Sequence, residues 1–253
     1  MYKPYQQLAG IYDAIGADHH SAGMVDYTFR IFRKFKIRPT TLLDCCCGTG
    51  TALGMFADHG LEVAGLDRSA EMLARAAVKL KGRGIALYRK ELPKFRILAS
   101  RKGDTRTFDV VTSFYDSLNY LKNRIELKTA FKSIREHIND RGWFIFDMNT
   151  PEALKYVWGG AVYADARDDI AWIWKNSYDP KTKSAECITT CFTKKGSSWE
   201  RFDESHVERG YSNTVIRRLL KEAGFVVRGF YRCKTFEAPK RKTYRIAVVA
   251  QKK

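Results

Sequence analysis

Leu42-Leu43-Asp44-Cys45-Cys46-Cys47-Gly48-Thr49-Gly50 is the stretch whose reading decides the fold. The two leucines read as the end of a buried strand, and Asp44 puts a carboxylate at that strand's C-terminal edge. Gly48-Thr49-Gly50 then makes a turn whose backbone can approach a ligand closely. Residues 51–60 have helical composition and end at Gly60. Glu62-Val63-Ala64-Gly65-Leu66 reads as a second short strand, with Asp67 at its C-terminal edge. In a parallel sheet both carboxylates face one crevice, where such folds bind ligands. One can meet an amino group and the other can hold the two hydroxyls of a ribose, so the pair suits a nucleoside.

Other glycine-rich turns fit less well. The dinucleotide fingerprint has three glycines, G-x-G-x-x-G, and an acid about 20 residues on. Gly48, Gly50 and Asp67 satisfy part of it, but its third glycine position holds Leu53. Asp44 would also repel a diphosphate. A P-loop needs Gly-Lys-Ser/Thr after its glycines, and the turn here continues Gly50-Thr51-Ala52. A ligand with a positive charge and no phosphate suits the site better. In Asp44-Cys-Cys-Cys47-Gly48-Thr49-Gly50, with an acid closing the second strand, the chain resembles the class I S-adenosylmethionine-dependent methyltransferases, whose first motif is D-x-x-C-G-T-G. Asp116-Ser-Leu-Asn-Tyr-Leu121, Asp203-Glu-Ser-His206 and Arg209-Gly-Tyr211 are similar to a bacterial small-molecule branch related to the amino-sugar N-methyltransferases.

Length and composition are compatible with that resemblance. The chain has 253 residues, 45% of them hydrophobic, enough for one α/β domain with an elaboration. It has no apolar run of about 18 residues of the kind that crosses a membrane. The N-terminal Met-Tyr-Lys-Pro-Tyr-Gln-Gln lacks the apolar run of a signal peptide, so a cytoplasmic location and no membrane partner are expected. Three of the six cysteines are adjacent, at 45–47, and suit small buried free thiols. Cys187 and Cys191 lack a matching Cys or His pair, and no metal site is expected. Lys and Arg outnumber Asp and Glu by 45 to 28, giving +17. Such a surplus can attract nucleic acid, although charge runs are usually solvated faces.

The pattern along the chain places these motifs. Residues 1–38 read as an amphipathic helical cover that Pro39 closes, with Val25, Phe29, Phe32 and Phe35 as apolar positions. Strands are expected near 40–45, 62–66, 85–89, 108–114 and 143–148, and helices at 50–59, 69–81 and 123–139. Ser69 is the cap of the second of these helices. The basic connection 92–107, with Pro93, Lys94, Arg96, Arg101, Lys102 and Arg106, is expected to be exposed and mobile. After Pro151, residues 155–211 carry four of the five tryptophans and β-rich alternating runs, read as three or so antiparallel strands inserted as a lid. A helix over 212–223 and a closing hairpin, Phe225–Tyr231 with Tyr244–Gln251, follow. The resemblance implies a single domain over 1–253: a Rossmann-like, seven-stranded, mostly parallel sheet with helices on both faces, its last strand antiparallel, plus the β lid.

Methyl transfer from a sulfonium is an in-line displacement, so alignment and water exclusion are the main tasks. The resemblance implies S-adenosylmethionine as cofactor, with Asp44, Cys45, Gly48, Thr49 and Gly50 around its methionine end and Asp67 on the ribose. Arg68 and Met72 are expected to flank the adenine. Glu91-Leu92 stands where the family commonly has Asp-Met, the acid receiving the adenine amino group. Phe114, Tyr115 and Asp116 follow strand four, where the family places residues near the transferred methyl. Tyr120 sits where related N-methyltransferases can carry a histidine. Tyr5 and Tyr12 belong to an N-terminal pattern that often closes over the cofactor; helix-packing aromatics are the plainer reading. Period-two alternation aims Glu204 and His206 at one face of a strand, and histidine chemistry suits a proton acceptor. Trp158, Trp172 and Trp174 are expected to pack the lid on the core rather than line the acceptor pocket. The expected partner is a small-molecule acceptor methylated on N or O. The alternatives are an RNA or protein methyltransferase using the basic surface, and a non-catalytic S-adenosylmethionine-binding protein.

Overall fold

A computed structural model describes residues 4–99 and 103–253. Met1-Tyr2-Lys3 of the N-terminal reading, and Arg101 and Lys102 of the basic connection, lie outside the described residues.

Strand β1 (Thr41–Cys45) ends in the glycine turn, which feeds helix α2 (Thr51–Asp58); helix α1 (His19–Phe35) precedes them. β2 (Glu62–Asp67), α3 (Ala70–Lys79) and β3 (Ala86–Arg89) repeat the strand–helix alternation. β4 (Phe108–Ser113), α4 (Arg124–Glu136) and β5 (Ile138–Asn149) extend it. A short helix α5 (Pro151–Ala153) runs into a π-helical stretch, Leu154–Trp158, and then four strands follow: β6 (Val162–Arg167), β7 (Ile170–Asp179), β8 (Ser184–Lys195) and β9 (Ser198–Arg209). Helix α6 (Asn213–Glu222) and strands β10 (Phe225–Arg232) and β11 (Arg245–Lys252) complete the chain.

Seven strands form one sheet in the order β10-β11-β5-β4-β1-β2-β3. β11 pairs antiparallel with both neighbours, and the β1, β2, β3, β4 and β5 pairings are parallel. β1 and β4 read as near-continuous apolar runs because both faces are covered, by α4 and α6 on one side and α1, α2 and α3 on the other. Order reverses at β1, between β4 and β2, and the C-terminal ends of those strands open the crevice. Ser69 caps α3 by accepting from the Met72 N–H at 3.1 Å, as its sequence position indicates.

Three regions differ from the sequence reading. The N-terminal cover is helical only from His19; residues 4–18 wind through turns with one 3-10 segment, Leu8–Gly10. Gly16, at φ +74°, turns the chain there, and Leu8, Ile11, Ile15 and Ala17 bury against Trp172 and Cys191 of the second sheet. The basic connection is anchored where it is described: Phe95 stacks on His137 at 4.3 Å, and Ile97 N–H donates to His137 Nε2 at 3.0 Å. Both apolar side chains are buried, while Lys94 and Arg96 point away. Finally, the second sheet has four strands, β6-β7-β8-β9, all antiparallel. The unforeseen one, β6, is an outer edge strand exposed along its whole length, so no burial period marks it. No helix among the described residues is long and apolar enough to cross a membrane.

Candidate active site

The glycine turn shapes the floor of a cavity of about 510 Å³. Gly50 has φ +80°, and a Cβ there would lie 2.8 Å from Leu80 Cδ1, so any larger residue is strained and crowded. Gly48, at φ +54°, lines the cavity, and a Cβ on it would meet nothing within 4 Å. Its missing side chain leaves ligand space. Asp67 closes β2 beside it. Its Oδ2 accepts from the Gly48 N–H at 2.9 Å, and its Oδ1 accepts from the Ser69 N–H at 2.9 Å. Two backbone bonds fix the carboxylate and leave one acceptor position free on each oxygen, the arrangement a vicinal diol requires. Burial raises the Asp67 pKa above the usual carboxylate value, against the lowering effect of those N–H groups.

Tyr5, Tyr12, Thr49, Arg68, Met72, Glu91, Leu92, Phe114, Tyr115 and Tyr120 also line this cavity. Arg68 sits across one side, 3.5 Å from Glu91 and over the Tyr120 ring at 5.7 Å. Asp44, Cys45 and Gly50, expected around the cofactor, are placed behind the lining instead. The β1–β4 register sets Asp44 opposite Thr112, whose hydroxyl donates to Asp44 Oδ1 at 2.7 Å. Burial, with the Asp67 charge adding to it against that hydrogen bond, pushes Asp44 up to about 7. All six cysteines are free thiols.

A second cavity of about 270 Å³ lies between the sheets and shares Tyr5, Tyr12, Tyr115 and Tyr120 with the first. Those four rings form the partition between the two. Asp116 and His206 belong to the second cavity alone. Trp158 and Trp174 line it too, contrary to the packing role expected of them, while Trp172 does pack against the N-terminal turns.

β9 delivers Glu204, His206 and Glu208 on one buried face, as strand alternation requires. Tyr5 and Tyr120 hydroxyls lie 2.7 Å apart, and Tyr120 Oη lies 2.9 Å from His206 Nδ1. His206 Nε2 is 3.4 Å from Glu204 Oε2. Glu204, fully buried, accepts from the N–H groups of Tyr5, Gln7 and Leu8 at 2.6, 2.6 and 2.9 Å, tying the N-terminal turns to the second sheet. Burial opposes its ionisation, but His206 and these N–H groups together lower its pKa below the usual value. Burial drives Tyr5, Tyr12 and Tyr120 well above 10, so they remain phenols.

Along one wall of this cavity runs a charge network around Asp116 that the sequence reading missed. Arg245 donates to Asp116 Oδ2 and Asp147 Oδ2 at 2.5 and 2.6 Å, and His20 approaches the same Asp147 oxygen at 3.2 Å. His20, Asp147 and Cys233 are close enough to hold an ion, but Arg245 already supplies the positive charge there. Burial would raise Asp147; Arg245 and His20 outweigh it and hold the carboxyl at about 2. Asn149 Nδ2 donates to Asp116 Oδ2 at 2.8 Å and to Glu208 Oε2 at 2.9 Å. Burial, then the Asp116 charge, push Glu208 well above its ordinary value, against the Asn149 hydrogen bond and Arg245. Tyr115 and Asp116 both have left-handed backbones, at φ +55° and +54°. Such residues cost about 1–3 kcal/mol each and gather at functional sites; here the Tyr115 N–H is held by Asp147 Oδ1 at 2.8 Å.

The architecture and first cavity define a Rossmann-like protein built to hold a nucleoside at a strand-order switch point. Residues 42–142 match the family model described as a methyltransferase domain. A protein of Geobacillus sp. (strain WCH70) assigned as a methyltransferase is 30% identical over 214 residues, covering 83% of this chain and 84% of the relative. The dTDP-3-amino-3,4,6-trideoxy-α-D-glucopyranose N,N-dimethyltransferase of Streptomyces venezuelae is 29% identical over 200 residues, 75% of each chain. The crystal structure of an S-adenosylmethionine-dependent methyltransferase from Clostridium acetobutylicum ATCC 824 superposes with a TM-score of 0.84 at 26% identity, covering 97% of this chain and 98% of that one. The chain belongs to the S-adenosylmethionine-dependent methyltransferases.

Proposed function

We propose that the protein transfers a methyl group from S-adenosylmethionine to the nitrogen of a small amine, acting as one domain with residues 1–38 as a cover and 155–211 as a lid. The carrying observation is the second cavity, which shares the tyrosine partition with the cofactor-sized cavity and contains Asp116 and Glu208 joined through Asn149. The first cavity fits the cofactor: Asp67 offers two oriented acceptors for ribose hydroxyls, Gly48 leaves backbone space, and Met72 and Leu92 supply apolar lining. When bound, S-adenosylmethionine supplies a methyl group on a sulfonium, already activated for displacement. Asp44, drawn to its charged form by a nearby ammonium, supports the methionine end from beneath the turn.

In the second cavity, Asp116 is paired with Arg245, which lines the same space, and Glu208 beside them is a buried carboxyl raised by burial and by Asp116. A cationic amine beside Glu208 offsets the burial that disfavours its charged form, so Glu208 favours a basic nitrogen. Aromatic faces on the partition add attraction for that cation. The bound ammonium would first give one proton to the Tyr120 oxygen as Tyr120 passes its own to His206 Nδ1, with Glu204 balancing the resulting imidazolium. The lone pair so freed on nitrogen would then be in place to accept the methyl group that the cofactor would supply, the bonding electrons staying with its sulfur. The N-terminal turns, fastened by Glu204, exclude water. At about 270 Å³ the cavity suits a small acceptor, which weighs against the RNA or protein alternative. The related N,N-dimethyltransferase is consistent with nitrogen as the target.

The test is a set of small primary amines and matched alcohols assayed with wild type and Glu208→Gln. Amine methylation is expected, with the amine KM of the variant raised roughly tenfold and S-adenosylhomocysteine binding unchanged. Methylation confined to the alcohols would overturn the amine reading. Binding of S-adenosylhomocysteine without turnover on any acceptor would favour the non-catalytic alternative.

A further inference from the structure

A third cavity, of about 460 Å³, opens where the four-stranded sheet meets the core, away from both cavities described above. Arg124, Lys155, Lys181, Lys183 and Arg209 line it, against the single carboxylate of Glu152. Among the described residues, none of the five lining cations takes part in an ion pair. Arg209 follows Glu208 on β9, so its side chain leaves the opposite face of the strand from the acceptor cavity. The two spaces are therefore divided by the second sheet, and this one is not an extension of the methyl-transfer site.

Two helix N-termini border the cleft, and one adds to its charge. Arg124 is the first residue of α4, a position that favours acids rather than cations. Ser212, the cap of α6, lines the same cavity, and α6 has no acidic residue in its first turn. The α6 end adds partial positive charge to five cations that Glu152 offsets only in part, whereas the α4 end is met by the Asn123 cap and by Glu126 in its first turn. Holding so much like charge together is unfavourable unless an anion joins it. Tyr156, 65% exposed with Lys155 Nζ over its ring at 5.0 Å, and Tyr178 present aromatic faces in the same cavity.

We propose that this cleft is a second ligand site, taking the phosphate groups of a small molecule, with a nucleoside diphosphate the class that also uses the tyrosine faces. It accounts locally for part of the +17 surplus that the methyl-transfer site does not use. Its walls come from β7, β9 and the β7–β8 turn of the second sheet, from α5 and the π-helical stretch after it, and from the starts of α4 and α6 of the core. A bound diphosphate would bridge the two and hold them in register.

The experiment is calorimetric titration of the full chain with pyrophosphate and with uridine diphosphate, in saturating S-adenosylhomocysteine so that the nucleoside cavity is blocked. Two double variants carry equal charge changes: Lys155→Glu with Lys181→Glu in the cleft, and Arg241→Glu with Lys242→Glu on an exposed turn outside it. Saturable one-to-one binding is expected for both ligands, weakened at least about tenfold by the cleft pair and little by the distant pair. Near-normal S-adenosylhomocysteine binding by both variants shows that each remains folded. Tighter binding by uridine diphosphate than by pyrophosphate confirms use of the rings, and equal binding restricts the site to phosphate. Absence of saturable binding, or equal loss in the two variants, would overturn the site. Much tighter binding of a short single-stranded RNA, with similar loss in both variants, would reassign the charge to a nucleic-acid surface.

Discussion

The two sides of the tyrosine partition are built differently. The cofactor side is written in adjacent residues: a strand end, a turn that needs glycine at 48 and 50, and one acid whose two oxygens are fixed by backbone N–H groups. The acceptor side is assembled from distant pieces: Tyr5 and Tyr12 from the N-terminal turns, Asp116 and Tyr120 after β4, His206 and Glu208 on β9, and Arg245 at the start of β11. A backbone-built site transfers unchanged among relatives that share the turn. A side-chain site brought together by register can be rewritten without disturbing the sheet, which is how one fold comes to serve many acceptors.

That contrast is broken most sharply by removing a residue that belongs only to the acceptor side. His206→Ala is expected to lower kcat by about 10²–10⁴, with S-adenosylhomocysteine affinity unchanged, because His206 does not line the first cavity. Single-turnover kinetics with calorimetry on the same preparation check both halves. A matching loss of cofactor affinity would mean that the partition does not separate two functions.

The same division explains what could be read from the sequence. The order of strands and helices, Asp67 at the end of β2 beside the glycine turn, and the Ser69 cap follow from local patterns, and each has its expected place in the fold. Glu204 and His206 on one buried face followed from strand alternation alone; Glu208, two residues on, was available from that same period and was passed over. Arg245 was less accessible. Its importance comes from the β11–β5 register, which sets Arg245 opposite Asn149 and Ala247 opposite Asp147, and from pairing across 129 residues with Asp116. The left-handed backbone of Tyr115 and Asp116 leaves no mark in residue type, since neither is glycine. Phe95 and Ile97 were hidden among cations, so a half-buried connection read as a solvated one.

A second prediction sharpens the contrast through pH. Asp44 is raised to about 7 in the folded chain and lies near 3.8 when unfolded, so the folded state binds the extra proton between those values. Its contribution therefore falls as pH rises from about 4 to about 7, by up to about 4 kcal/mol for a fully buried group. Asp147 works in the other direction: held at about 2, it stabilises the fold above the usual carboxylate range, and that contribution is lost as pH falls toward 2. Asp44→Asn keeps an acceptor for the Thr112 hydroxyl and cannot ionise. Chemical denaturation from pH 5 to 9 is expected to show the variant gaining stability relative to wild type up to about pH 7, with the difference level above it. Parallel curves for the two proteins would mean that Asp44 stays ionised behind the turn.

The smallest effect of the three concerns the cofactor side itself. Asp67→Ala removes both the proposed ribose acceptors and the anchor of the Gly48 and Ser69 N–H groups. The N–H groups lie beside the cavity and can turn to water, and the Ser69 cap on Met72 persists, so α3 keeps its start. The expected result is a loss of at least tenfold in S-adenosylhomocysteine affinity, about 1.4 kcal/mol, with the circular-dichroism spectrum preserved. Because Asp67 lines only the first cavity, turnover at saturating cofactor should recover much of the wild-type rate. His206→Ala should show no such recovery at any cofactor concentration. Crossing the two substitutions then measures the partition directly: additive losses in the double variant place the residues in independent sites, and a coupling of 0.5 kcal/mol or more would show that the tyrosines transmit one site's state to the other.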